Sequence, residues 1–238
     1  MVWRQTYAAS LAGNLGEPLL FLLGMGYGLG RFVGEIGDMP YMHYVAPGIL
    51  AASAMNNATF EALYGGFTRM TRQNTFHAML ATPLGVSDVV AGEILWAATK
   101  SLIAGIAIFL VGSLLGAFPA STALLALPVV FLAGLVFASM GIVVTAISPS
   151  YEFFLYYTTL ITTPMFLFCG VFYPVSSLPD TVATIARWLP LGHVVSLTRP
   201  LATGLPLGNP FLHIFALIVF TLLAYSAAVF FVKRRIIT

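Results

Sequence analysis

The side chains best able to do chemistry are few in this chain, and they do not assemble into a reaction centre. His43, His77, His193 and His213 fall on different segments, so their spacing predicts no shared metal site. Cys169 is the single cysteine, which excludes an internal disulfide framework and any multi-cysteine metal site; set in an apolar stretch, it is expected to pack. No phosphate-binding Walker loop, His-Glu-x-x-His or Gly-x-Ser-x-Gly occurs. Gly24-Met25-Gly26-Tyr27-Gly28-Leu29-Gly30 lacks both the glycine order and the strand-to-helix setting of a nucleotide loop. Its small residues suit close helix packing, as do Gly112 and Gly116.

Two groups of polar residues stand out because their neighbours are apolar. Glu61 follows Asn56, Asn57 and Thr59, a set that either lines a cavity as a polar track or hydrogen-bonds one helix to another. Tyr156, Tyr157, Thr158, Thr159, Thr162 and Thr163 alternate with Phe153, Phe154, Met165, Phe166 and Phe168. Hydroxyls and aromatic faces on one helix fit an amphiphile carrying sugar or lipid groups; a threonine-rich packing face is the other reading.

The elements that must position these groups are membrane spans. Of the 238 residues 59% are hydrophobic and only 8% are charged, against roughly a quarter charged in water-soluble domains. A net charge of +2, spread thinly, makes nucleic acid a poor partner. A charge at the bilayer centre costs at least about 2.5 kcal/mol, so long gaps between charges mark crossings. They give six, near 16–34, 44–65, 93–115, 122–147, 152–173 and 210–232, which use most of the chain and leave no room for a separate soluble catalytic domain. The first is tight: Glu17 and Arg31 bracket only 13 residues, so both must sit near interfaces. Ahead of it, Arg4 and a mixed stretch give no cleavable signal peptide and are expected to lie on the membrane surface. Lys100, about two turns inside the third span, must face protein or snorkel. Arg4, Arg69, Arg72, Lys233, Arg234 and Arg235 lie on the side of the termini, against Arg31, Arg187 and Arg199, which places both termini in the cytoplasm.

Two connections are more than links. Residues 67–80 combine Phe67, Met70, Phe76, Met79 and Leu80 with Arg69 and Arg72 and read as one short amphipathic helix, ended at Thr82-Pro83. Residues 173–208 hold five prolines and an amphipathic stretch at 180–189; they predict extracytoplasmic interfacial or re-entrant helices between spans five and six, tolerable at depth only if covered by protein.

Thr162-x-x-Met165-x-x-Phe168-Cys169-x-Val171, then Leu178-Pro179, then Pro190-Leu191-Gly192-His193 and Arg199, resembles the signature of ABC-2 type exporter permeases. Phe168 departs from the smaller residue usual at its place. The stretch from Arg72 to Pro83, followed by Gly92-Glu93, is also similar to that family's segment before span three. Gly16-Glu17-Pro18-Leu19, the run from Ser53 to Glu61, Gly92-Glu93-Ile94-x-Trp96 and Pro149-Ser150-Tyr151 are similar to its nodulation-type NodJ group.

The resemblance implies an all-α integral membrane protein, one ABC-2 transmembrane domain over 1–238, in a bacterial inner membrane. It implies an export permease for a lipo-oligosaccharide or other glycolipid-like amphiphile, working by alternating access; a multidrug or hydrophobic-compound exporter and a secondary transporter are the alternatives. The chain then has no ATPase site and binds no cofactor, ATP and Mg belonging to a separate NodI-like subunit in two copies, beside a second permease copy. Joined to the residue reading, it makes 67–80 the coupling helix, with Met70, Phe76, Met79 and Leu80 filling a groove on the ATPase, Phe67 and Pro83 at its ends, and Arg69 and Arg72 orienting it. Substrate is expected along spans two and five, with Asn56, Asn57, Thr159, Thr162 and Thr163 as hydrogen-bonding groups and Phe153, Met165 and Phe168 as apolar ones.

Overall fold

The computed structural model describes residues 16 and 18–237; the expectations for the leader with Arg4, and for Glu17, lie outside them. Apart from a ribbon of Glu35–Ile36 against Met39–Pro40, the described regular structure is helical. Helix α1 is Pro18–Val33. Helix α2 starts at Tyr41, runs to Phe60 and continues unbroken to Arg72 through two π-helical turns, Glu61–Gly65 and Thr68–Arg72. Helix α3 is Thr75–Leu80, α4 is Val86–Leu114 and α5 is Ser121–Ile147. Helix α6 is Phe153–Phe168, α7 is Asp180–Trp188, α8 is Pro190–Thr203 and α9 is Pro210–Ile237.

Helix α5 is the packing centre, touching α2, α4, α8 and α9. Lipid tails are as apolar as leucine, so helices in a membrane gain little from burying greasy side chains; they gain from close contact through small residues. A Cβ on Gly134 of α5 would lie 2.9 Å from the Cα of Ala98 on α4, and one on Gly141 would lie 2.6 Å from the Cβ of Ala62 on α2. Outward-facing surfaces carry Leu20, Phe32, Leu114, Leu160, Phe211 and Leu223, all largely exposed, which suits acyl chains and not water. Helices α4, α5 and α9 are long and apolar enough to cross a membrane, and α1 and α6 are apolar but shorter. The protein is an all-α integral membrane protein.

Several boundaries differ from the charge-gap reading. Helix α4 begins at Val86 and not near 93, because the Asp88 carboxylate accepts the Gly85 N–H at 2.8 Å; an acidic group in the first turn favours the helix N-terminus and does not mark the membrane edge. Lys100 consequently lies midway along α4. The single helix expected over 67–80 is divided: Asn74 adopts the left-handed conformation, φ 51°, so Phe67, Arg69, Met70 and Arg72 end α2 while Phe76, Met79 and Leu80 form α3. Helix α6 stops at Phe168, five residues short of the expected 173, before Gly170 at φ 78°. The segment between α6 and α9 does form two helices, α7 and α8.

Gly134→Leu is expected to force α4 and α5 apart and to lower stability by about 1–3 kcal/mol or more, read as a fall in the thermal midpoint of the detergent-solubilised protein. Gly92→Leu, where a Cβ meets nothing within 4 Å, is the control and should change it little.

Candidate functional site

The π-turned end of α2 gathers the charges. Arg69 reaches across to α4, donating through Nε at 2.9 Å to each carboxylate oxygen of Glu93 and through Nη2 to Glu93 Oε2. Its Nη1 donates at 3.0 Å to Oε1 of Glu61, one helical stretch earlier on α2. Glu61 also accepts from Lys100 Nζ at 2.8 Å and from the Trp96 indole at 3.1 Å, and the ammonium lies 5.2 Å from the Trp96 ring. Two acids and two bases therefore neutralise one another between α2 and α4. Each would be costly alone at low dielectric. Gly65 makes the geometry possible: a Cβ there would sit 2.6 Å from Glu61 Oε1 and 3.1 Å from Arg69 Nη1.

The same stretch of α2 is tied to the other cytoplasm-side helix ends predicted from charge. Thr145, near the end of α5, donates to the Ala62 carbonyl at 2.8 Å. Thr68 and Tyr151 share a hydroxyl hydrogen bond of 2.8 Å, and Tyr64 and Phe67 pack edge-on against Phe154 at the start of α6. Arg235 near the end of α9 donates through Nη1 to the carbonyls of Thr145, Ala146 and Ser148 at 2.7–3.0 Å. These are the last carbonyls of α5, left without intrahelical donors, and a cation suits that negative end of the helix. The Arg235 guanidinium also lies 5.4 Å from the Phe67 ring. Residues 61–72 thus form a hub joined to α4, α5, α6 and α9.

At the opposite end a second arginine holds irregular backbone. After α6, the chain at 169–172 is buried but not helical, a combination that needs donors for its carbonyls. Arg199 of α8 supplies them: Nη2 donates to Gly170 O at 2.5 Å, Nε to Tyr44 O of α2 at 3.2 Å, and the guanidinium stacks 3.8 Å from the Tyr44 ring. A Cβ on Gly48 would meet the Val171 carbonyl at 2.7 Å, so the loop lies directly on α2. His193, on the same helix as Arg199, places Nδ1 2.8 Å from Nδ1 of His213 on α9. The spacing of the histidines predicts no meeting; helix packing brings two of them together because α8 folds back onto α9. Among the described residues no group of three or more metal-ligating side chains forms.

Residues 2–203, most of the chain, match the model of the family described as ABC-2 type transporter. The chain belongs to that family. The permease is 43% identical to nodulation protein J of Rhizobium leguminosarum bv. trifolii, over 100% of this chain and 90% of the relative. It is 41% identical to nodulation protein J of Rhizobium meliloti (strain 1021), over 99% and 90%. It is 21% identical to the inner membrane transport permease YadH of Escherichia coli (strain K12), over 82% and 74%. No solved structure matches it. An ABC-2 permease carries no ATPase domain, so this chain is a transport subunit and not an enzyme.

The permease places its expected site residues unevenly. Phe67, Met70 and Phe76, offered by sequence to a partner, are buried in its own core, Phe76 at 1% exposure. Arg69 is held in the ion-pair network. Met79 and Leu80 are half-buried; Arg72, His77, Ala78 and the turn from Ala81 to Pro83 are exposed. The reason is the break at Asn74, which folds α3 back so that its apolar face covers the hub. Along the proposed pathway, Thr159, Thr163 and Phe168 are exposed, Asn56, Asn57 and Phe153 are half-buried, and Thr162 and Met165 are buried. Asn57 donates to the Ser53 carbonyl one turn back. No hydrogen bond joins the asparagines to the threonines of α6 among the described residues. Pro190 and His193 are buried in the packing of α8, and Cys169 is buried with its thiol directed at the Ala186 carbonyl, 3.7 Å away. The network around Glu61 eluded the charge-gap reading, although Glu93, Trp96 and Lys100, spaced three and then four residues apart, mark one stripe of α4.

Arg69→Met leaves two carboxylates facing each other without their shared cation, and is expected to destabilise the permease by about 3–5 kcal/mol. Lys100→Met should cost less, since Lys100 is the most exposed member, at 42%. Chemical or thermal unfolding in one detergent compares the two; equal losses would overturn the assignment of Arg69 as the centre.

Proposed function

We propose that this permease exports an amphiphilic lipo-oligosaccharide, or a molecule of that glycolipid class, across a bacterial inner membrane by alternating access. Six spans with both termini cytoplasmic, two permease copies and two copies of a separate NodI-like ATPase, which binds ATP and Mg, make up the transporter. The observation that carries this reading is the likeness over the whole length to nodulation protein J, including the segments that form the hub.

In this reading the contact with the ATPase is the exposed turn around Arg72, His77, Ala78 and residues 81–83, while the buried side chains behind it transmit movement. A push on that turn acts on 61–72, and the ion pairs and aromatic contacts carry it into α4, α5, α6 and α9. Rigid contacts of this kind favour two discrete arrangements over a gradual deformation. Substrate meets α6 at Thr159, Thr163 and Phe168 and α2 at Asn56 and Asn57, hydroxyls and amides for sugar and rings for the acyl chain. A second reading, export of a hydrophobic compound without sugar, draws on a groove of about 530 Å³ between α1 and α6, lined by Phe21, Met25, Leu29, Phe166 and Phe172 with almost no polar surface.

ATP hydrolysis by the co-purified complex, measured with lipo-oligosaccharides and with hydrophobic drugs, separates the two readings. Stimulation by the sugar-bearing molecules supports the first, and stimulation by the drugs alone overturns it. Ala78→Glu combined with Ala81→Glu is expected to cut co-purification of the ATPase at least about tenfold, as buried interface charges do, with an unchanged thermal midpoint. Phe76→Ala should instead lower stability by about 3–5 kcal/mol. Photo-crosslinking side chains at Thr159 and Thr163 should capture labelled substrate; capture only from α5 would refute the pathway.

A further inference from the structure

The His193–His213 contact is a close pairing of two like titratable groups outside the hub, and the transport mechanism makes no use of it. The two Nδ1 atoms are 2.8 Å apart, and His193 is only 5% exposed. Its other ring nitrogen, Nε2, is buried with no hydrogen-bond partner. A hydrogen bond between two Nδ1 atoms requires a proton on one and a lone pair on the other. A bare acceptor is a less costly orphan in a buried site than an N–H. The neutral pair is therefore assigned with His193 donating through Nδ1–H to His213 Nδ1, and with the second proton of the pair on His213 Nε2.

We propose that His193 and His213 together form a proton-binding site that latches α8 to α9 on the outward side of the permease and opens as that side is acidified. With two protons the pair holds the bond just described. A third proton is accommodated if His213 becomes the donor and the His193 proton moves to its buried Nε2, which keeps the bond but orphans an N–H. A fourth leaves two imidazolium rings with N–H facing N–H, and the contact breaks by charge repulsion and by loss of the acceptor. Stability from the latch is thus present at neutral pH and lost as pH falls. The pair titrates as a unit, in two steps.

Other ionisable groups on the packed elements have partners of their own; on α4, Asp88 accepts from Gly85, and Glu93 and Lys100 belong to the ion-pair network. On α8, Arg199 is directed at Tyr44 and Gly170. On α7, Asp180 and Arg187 are exposed. On α2, His43 pairs with the Gly116 carbonyl and Tyr44 with that of Gly170, while Tyr41 is buried in the core. Helix α5 has no charged residue from 121 to 147. On α9, Tyr225 bonds Ser87 and Arg235 caps α5, both beyond the histidine end of the helix. After α6, the Cys169 thiol is directed at Ala186. The nearest ring to His193 besides His213 is Phe220, at 6.4 Å. Among the described residues no carboxylate forms an ion pair with either histidine.

The test is hydrogen exchange of the 204–214 segment in the full chain, held in phosphatidylcholine nanodiscs, between about pH 7.5 and about pH 5. After correction for the intrinsic rate, exchange is expected to rise about fivefold in the wild type, the weight of one hydrogen bond. His213→Asn supplies an acceptor that does not titrate, so its exchange should not change with pH. His213→Phe should exchange fast at both values. A flat wild-type profile, or a His213→Asn profile that follows the wild type, overturns the proposal. Nitrogen-15 histidine spectra decide it without any variant: two coupled steps for His193 and His213 support the latch, and independent titration of the two rings overturns it.

Discussion

Four charges must be neutralised inside an apolar bundle, and the rest of the architecture at that end of the bundle follows from how that is done. Glu61 and Glu93 are largely covered by neighbouring helices, so each needs a partner of opposite sign with its hydrogen bonds satisfied, and Arg69 and Lys100 supply them. The pairings cross from α2 to α4 and hold those helices in one register. They also demand a local distortion. The π-helical turns at 61–65 and 68–72 and the absence of a side chain at Gly65 give Glu61 and Arg69 room to meet on one helix. π-turns are rare, weaker than α-helical turns, and often found at functional positions.

Because this register is fixed by charge, the neighbouring contacts can be short and specific. Thr145 needs the Ala62 carbonyl at a defined height, and Tyr151 needs Thr68. The aromatic packing of Tyr64, Phe67 and Phe154 then fills the space between α2 and α6. Arg235 closes the arrangement by capping α5 from the end of α9. A segment connected in this way moves as a unit or not at all, which is what a permease driven from outside requires. The opposite end is held by different chemistry. There Arg199 supplies hydrogen bonds to a buried, non-helical stretch, and the two histidines share a single proton between helices.

The sequence reading and the structure diverge where a charge has two explanations. A charge beside a hydrophobic run can mark the membrane edge or serve a helix end or a partner helix; Arg31 is exposed near the end of α1. Asp88 instead caps α4, and Lys100, expected inside its span and facing protein, lies midway along that helix against Glu61. The amphipathic pattern of 67–80 is real, but its apolar side chains turned out to cover their own chain. An apolar stripe reports that something covers it and says nothing of whether the cover is intramolecular. Asn74 and Gly170, both left-handed, interrupt elements that the charge gaps and the amphipathic pattern carry straight through them.

Composition and the distances between charges sufficed for the solvent, the helical class and the approximate position of the long apolar segments, because the cost of a lone charge in lipid acts on each residue separately. The order of the motifs was enough for the family. Which charge meets which, that Phe76 faces inward, and that His193 lies against His213 were decided only by tertiary packing. Those outcomes depend on the relative height and rotation of helices far apart in the chain, and a local pattern carries no information about either.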